Sequence, residues 1–183
     1  MSPISWKRDE AMDKNRKYPL QLPVFVFSLA GAAFLSVVDL TIKWAVETII
    51  MDPPHRIPLL PFFDLVLVFN RGVSFGLLDD LGRWGPIVLS GLAIGIVGVL
   101  IIWLWRAQRM NEIIGITLII GGAIGNLIDR LYDDAVTDFL NLYVGQYHWP
   151  VFNSADVFIT IGALCLLLPD LGKRTDVARK NSS

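Results

Sequence analysis

The sequence has a single cysteine, Cys165, and only two histidines, His55 and His148. One thiol cannot close an internal disulfide, and Cys165 sits inside an apolar run, where a small core or lipid-facing residue is expected. The isolated histidines leave no His-Glu-x-x-His zinc motif and no triad base, and no Gly-x-Ser-x-Gly nucleophile elbow is present. An excess of charge is lacking too: the formal net charge is −1, and no basic stretch is interleaved with aromatics as a nucleic-acid surface requires. No glycine-rich phosphate loop precedes a helix, and no repeat or low-complexity stretch occurs. The Gly-x-Gly-Asp signature of presenilin-like intramembrane proteases is absent. Met1–Lys17 is polar and mixed in charge, so no cleavable signal peptide is expected. Neither a cofactor nor a metal is expected.

Hydrophobic residues are abundant instead. They make up 54% of the 183 residues, and the mean hydropathy of +0.53 excludes an ordinary soluble domain. A bilayer core takes about 20 apolar residues as a helix, and four windows qualify: 22–46, 84–105, 112–131 and 151–170. Residues 1–183 thus read as one integral membrane domain, an all-α membrane protein with four transmembrane helices. The first window is broken only by Asp39 and Lys43, and the second carries no charge at all.

Orientation follows from Lys and Arg in the flanks. Lys7, Arg8, Lys14, Arg16 and Lys17 lie in the arm 1–21, Arg106 and Arg109 join the second and third spans, and Lys173, Arg174, Arg179 and Lys180 lie in the tail 171–183. The opposite side has Arg56, Arg71 and Arg83 spread over a longer segment. Both termini are therefore expected in the cytoplasm. At 1.5 Å per residue, Asp39 lies ~25 Å along the first span, Asp129 about as far along the third, and Asp156 within ~8 Å of the outer start of the fourth. The costly polar residues thus gather at the extracytoplasmic interface.

The outer segment 47–83 reads as a small β-element on the membrane surface. Pro53, Pro54, Pro58 and Pro61 keep its first half extended or turned, Phe62–Phe69 reads as a strand, and Asn70-Arg71-Gly72 offers a turn into Val73–Leu78. Residues 132–150 read as an extracytoplasmic loop.

Asp39 and Lys43, spaced i, i+4, can neutralise each other, and Asn126 and Arg130 share a helix face in the same way. Helix-to-helix glue with a snorkelling arginine is the plain reading of the latter, with Gly121, Gly122 and Gly125 admitting a close neighbour. Asn153 and Asp156 have the spacing of a capping box, and Asp138 could be a simple loop acid. Taken together, however, Asp138 and Asp156 are two carboxylates at one membrane face. Brought close, they would share a proton, so that one takes a proton from water while the other donates to a substrate carbonyl.

These motifs resemble the bacterial lipoprotein signal peptidases, the signal peptidase II family. The block Gly121-Gly122-Ala123-Ile124-Gly125-Asn126-Leu127-Ile128-Asp129-Arg130 is similar to the family's most recognisable stretch. Val136-Thr137-Asp138-Phe139 and Phe152-Asn153-Ser154-Ala155-Asp156 resemble its two catalytic-aspartate motifs, and Asn70-Arg71-Gly72-Val73-Ser74-Phe75 its outer-loop motif. In Asp39-Leu40-Thr41-Ile42-Lys43 the family's Asp-to-Lys spacing is kept, but leucine replaces its glutamine. The resemblance implies four transmembrane helices with a small extracytoplasmic β-element cradling substrate. It implies an aspartic endopeptidase of the bacterial inner membrane that cuts prolipoproteins before the diacylglyceryl-modified cysteine.

The implied dyad is Asp138 and Asp156, supported by Asp39, Lys43, Asn70, Gly72, Asn126, Arg130, Asn153 and Ala155, with Asp129 structural. In that reading Asn126 and Asn153 orient the carboxylates and Arg130 ties the third helix to the outer loops. The partners implied are diacylated prolipoproteins and membrane lipid, with the chain working as a monomer and binding no nucleic acid. Two rivals stay open: a small transporter or proton carrier using the same acids, and a non-enzymatic assembly or chaperone protein in which the polar cluster only joins helices. Against the first, transporter sites lie near the midplane between repeats, and no repeat is present here.

Overall fold

In a computed structural model, residues 20–72 and 84–167 are described. Most of the N-terminal arm, the C-terminal tail, Val73–Leu78 and Arg83 lie outside them. Helix α1 spans Leu22–Ala45, starting beside Pro23 in its first turn, and runs on through a π-helical turn over Val46–Ile50. Strands β1 (Ile57–Leu60) and β2 (Phe63–Asn70) follow, then helices α2 (Gly85–Arg106) and α3 (Met110–Asp133). Strands β3 (Val136–Val144) and β4 (Tyr147–His148) precede helix α4 (Ser154–Leu167).

Among the described residues, three helical stretches are long and apolar enough to cross a membrane: 22–50, 85–106 and 110–133. Within the described residues α4 has 14 residues, ~21 Å at the helical rise. Their exteriors are apolar, as hydrocarbon requires: Phe27 and Phe34 on α1 and Leu92, Val99 and Ile102 on α2 are all exposed.

Helix α3 is the axis of the bundle and packs against α1, α2 and α4. Its glycines make this possible. A Cβ on Gly121 would lie 2.8 Å from Leu35 Cβ of α1, and one on Gly122 only 2.4 Å from the carbonyl oxygen of Ala155 in α4. The α1–α2–α3 core is built from Ala32, Val97, Leu100, Leu104, Ile116 and Ile120.

The sheet differs from the sequence reading in two respects. Its order is β1-β2-β3-β4, with antiparallel neighbours throughout. Ile57–Leu60, read from its prolines as extended or turned chain, is a strand paired antiparallel with β2, and the expected partner Val73–Leu78 lies outside the described residues. The prolines misled because Pro58, which donates no ladder hydrogen bond, sits on the edge strand, where none is needed. The segment read as the loop 132–150 contributes β3, an interior strand of the sheet. Val136–Thr137–Asp138–Phe139 is buried throughout, so the alternation that marks a half-buried strand is hidden. Val46, Met51 and Phe139 form a second core joining the end of α1 to the sheet.

Candidate active site at the meeting of strand, helix start and bundle

Asp138 lies in the interior strand β3, opposite Val68 of β2. The chain just before α4 adds itself to that strand: Leu140 and Phe152 exchange backbone hydrogen bonds of 2.8 and 3.0 Å, and Phe139 N–H also donates to Phe152 O. This pairing brings Asn153 and the first turn of α4 beside Asp138. Asn153 then caps the helix, its Oδ1 accepting from Asp156 N–H while Asp156 Oδ2 accepts from Asn153 N–H, both at 3.1 Å. The capping box read from the sequence therefore exists, and it also delivers the second carboxylate to the site.

One residue thus touches both acids. Asn153 Nδ2 donates to Asp138 Oδ1 at 2.7 Å, while its backbone N–H reaches Asp156. Asn70 Nδ2 donates to Asp138 Oδ2 at 2.9 Å, and Asn126 Nδ2 to Asp156 Oδ1 at 3.0 Å. Asn70 is held in turn by an Asx-type turn in which Gly72 N–H donates to its Oδ1 at 2.9 Å. Gly72 has φ +100°, and an added Cβ would overlap Leu89, so this turn requires glycine.

The polarity of the amides is fixed from outside the site. Lys43 has only donors, and its Nζ donates to Asn126 Oδ1 at 2.7 Å. Asn126 must therefore present Nδ2 to Asp156, and Asn153 donates its own Nδ2 to the same Asn126 Oδ1 at 3.1 Å. Lys43 is almost fully buried, and it is neutralised by Asp39 at 2.9 Å and Asp129 at 3.1 Å. The i, i+4 pair expected from the sequence is present, with a second acid added by α3. Asp39 Oδ1 also accepts from Ser154 Oγ at 2.5 Å, linking α1 to α4. Asp39 fits because Gly125 has no side chain: a Cβ there would lie 2.5 Å from Asp39 Oδ2. Asp129 further accepts from Thr137 N–H at 2.8 Å, which joins α3 to β3.

Two further residues of the implied supporting set act by packing and by charge. Ala155 is fully buried at the α3–α4 contact and makes no polar contribution. Arg130, expected to tie α3 to the outer loops, has its Nε buried without a hydrogen-bond partner. Its charge acts on Asp129, Asp138 and Asp156 together.

Burial raises the carboxyl of Asp138 to about 6, with the negative Asp156 adding to the rise, while the amides of Asn70 and Asn153 and the charge of Lys43 pull it down. A cleft of about 450 Å³ opens over Asp138, walled by Val68, Asn70, Arg71, Pro150 and Val151. A second, apolar one of about 340 Å³ runs along α4 from Asp156 past Val157, Thr160 and Ile161, with Leu142 and Trp149 opposite. Among the described residues no group of His, Cys, Asp or Glu is arranged to hold a metal ion.

Glu47, Thr137 and Ser154 went unnoticed in the sequence. Glu47 had a signal, since Asp39, Lys43 and Glu47 form an unbroken i, i+4, i+8 series on α1.

Comparison with known proteins bears on this geometry. The model of the family Signal peptidase (SPase) II matches residues 31–171. A lipoprotein signal peptidase of Solibacter usitatus is 46% identical over 145 residues, which is 76% of this chain and 87% of that protein. One from Vibrio vulnificus is 36% identical over 86% of this chain and 89% of its own. The match to the Cupriavidus taiwanensis lipoprotein signal peptidase, at 44% identity, covers 62% of this chain and 65% of that protein, just under two thirds of its length. A bacterial membrane enzyme solved by the in meso method at 2.3 Å resolution superposes with a TM-score of 0.65 at 25% identity, over 78% of this chain and 85% of its own.

Proposed function

The chain belongs to the signal peptidase II family, bacterial membrane hydrolases of the aspartic type that remove the signal peptide from prolipoproteins, and from that premise we propose that it does so with Asp138 and Asp156 as its dyad. The observation that carries this reading is Asn153, which hydrogen-bonds both carboxylates at once. Asp138 is the more buried, and burial raises its carboxyl to about 6, so it is the acid to which we assign the catalytic proton. Asp156 sits in the first turn of α4, on the side of the site opposite Asn70.

In the reaction, ionised Asp156 takes a proton from water as the water oxygen bonds the scissile carbonyl carbon. Asp138 gives its proton to the carbonyl oxygen. Collapse of the tetrahedral intermediate breaks the C–N bond, the nitrogen leaves with the proton held by Asp156, and Asp138 recovers its own. Arg130 offsets the negative charge of the acids, and Asn70, Asn126 and Asn153 fix their directions.

The chain crosses the inner membrane four times, with both termini cytoplasmic and the dyad at the extracytoplasmic face. The three long apolar helices, the uncharged and mostly apolar α4 beyond Asp156 and the Lys/Arg bias of the flanks support this. The substrate is diacylated: its acyl chains stay in lipid along the apolar groove of α4 while the peptide lies over Asp138. Purified protein is expected to cleave a lipobox substrate carrying the diacylglyceryl group and to leave the unmodified one intact. Equal cleavage of both would sink the lipid requirement, and cleavage by both Asp138→Asn and Asp156→Asn would sink the dyad.

A further inference from the structure

Thr137 precedes Asp138 in β3, so its side chain projects from the opposite face of the strand. It is fully buried, and both of its donors end on carboxylates. Its backbone N–H donates to Asp129 Oδ2 at 2.8 Å, and its hydroxyl Oγ1 donates to Glu47 Oε1 through a short hydrogen bond. Asp129 comes from α3, where Lys43 holds it, and Glu47 comes from the π-helical turn that ends α1.

That turn is closed by Met51 N–H donating to Val46 O at 2.8 Å, and it keeps Glu47 on the stripe that carries Asp39 and Lys43. π-Helical turns within helices are rare and frequently mark functional sites. Lys43, Glu47, Asp129 and Asp133 also line a separate cavity of about 170 Å³, together with Leu40, Trp44, Ile128 and Tyr132. Glu47 thus stands on the far side of β3 from the cleft over Asp138.

We infer that Glu47 and Thr137 are positioning residues for the dyad: the Glu47–Thr137 hydrogen bond fixes β3 against α1 and so sets the direction in which Asp138 points. The inference rests on Asp138 being catalytic. Without the bond, β3 keeps its ladder to β2 and its tie to Asp129, so the strand persists while Asp138 is aimed less well. A displacement of about 1 Å at a reacting group can cost on the order of 100-fold in rate.

The test is a set of variants assayed on diacylated substrate, with kcat and KM separated and rates normalised to folded protein. Thr137→Val and Glu47→Ala are expected to lower kcat by about 10- to 100-fold with KM within about two-fold. Thr137→Ser and Glu47→Gln keep a hydroxyl donor and an oxygen acceptor, so they are expected to stay within about three-fold of wild type. The double variant Glu47→Ala/Thr137→Val is expected to be no slower than the slower single variant, since both remove one bond. Wild-type kcat per folded molecule in Thr137→Val, multiplicative losses in the double variant, or failure of both conservative variants to retain activity would each overturn the inference. An active Asp138→Asn would overturn the dyad instead, so the two failures are distinguishable.

Discussion

At the scale of single residues, the site is a polar network whose every direction is set by a donor or acceptor of fixed type. Lys43 is its source of polarity, and it also compensates the buried Asp39 and Asp129. Lys43→Met is expected to leave two buried carboxylates unpaired and to cost about 3–5 kcal/mol, read as loss of folded protein in thermal denaturation.

Asp138→Asn and Asp156→Asn preserve shape and remove only the ability to ionise, so each is expected to accumulate normally in the membrane yet leave prolipoprotein uncut. The raised carboxyl of Asp138 gives a pH prediction with a definite sign. In the proposed mechanism Asp138 acts as the acid, so kcat/KM should fall as pH rises through an inflection near the value of about 6 set by burial. Asn70 stabilises the ionised form of Asp138, and its removal favours the proton. Asn70→Ala is therefore expected to move that inflection upward, and a downward move in the pH–rate profile would contradict the assignment. Most of these residues could be named from their chemistry along the chain. Their contacts could not, because Asn126 and Asn153 have identical groups and only Lys43, 83 and 110 positions away, decides which way each amide turns.

At the scale of elements, close backbone approach is what seats the acids. Gly122 lets α3 touch Ala155 in α4, and the same contact sets the height of Asn153 and Asp156. Gly122→Ala is expected to destabilise by about 1–3 kcal/mol, as overpacking does, and to reduce activity. Gly91→Ala on α2, where an added Cβ meets nothing within 4 Å, is expected to leave both unchanged; melting curves and turnover on the two variants check this.

The long apolar helices were legible from length and hydropathy, within a few residues at their ends. The sheet was less so. β3 was read as a loop because Thr137, Asp138 and Asn141 look like loop chemistry, yet each is buried with partners on other elements. β1 was hidden by Pro58, which an edge strand tolerates.

At the scale of the whole molecule, the fold places a polar network at one end of an apolar bundle, with an apolar groove leading from Asp156 along α4. This arrangement suits a substrate whose lipid and peptide parts need different solvents. Cysteines placed at Tyr147, on the exposed β3–β4 hairpin, and at Lys7, in the N-terminal arm, are expected to react with an impermeant thiol reagent from opposite sides of sealed membranes, in a Cys165→Ser background. Labelling from the same side would overturn the topology.

The sequence by itself determined that this chain is a membrane protein, where its long apolar stretches lie, and which acids are costly enough to need a purpose. Those conclusions depend on hydropathy, charge bias and helical spacing, which are local properties. It also determined the capping box at Asn153 and the ion pair of Asp39 with Lys43, both within one turn of helix. Only the tertiary structure decided that Asn153 bridges both carboxylates, that Lys43 serves α1 and α3 at once, and that Glu47 stands behind the strand of Asp138. Those contacts join residues between 15 and 90 positions apart, and no local pattern records which distant partner a buried polar group must find.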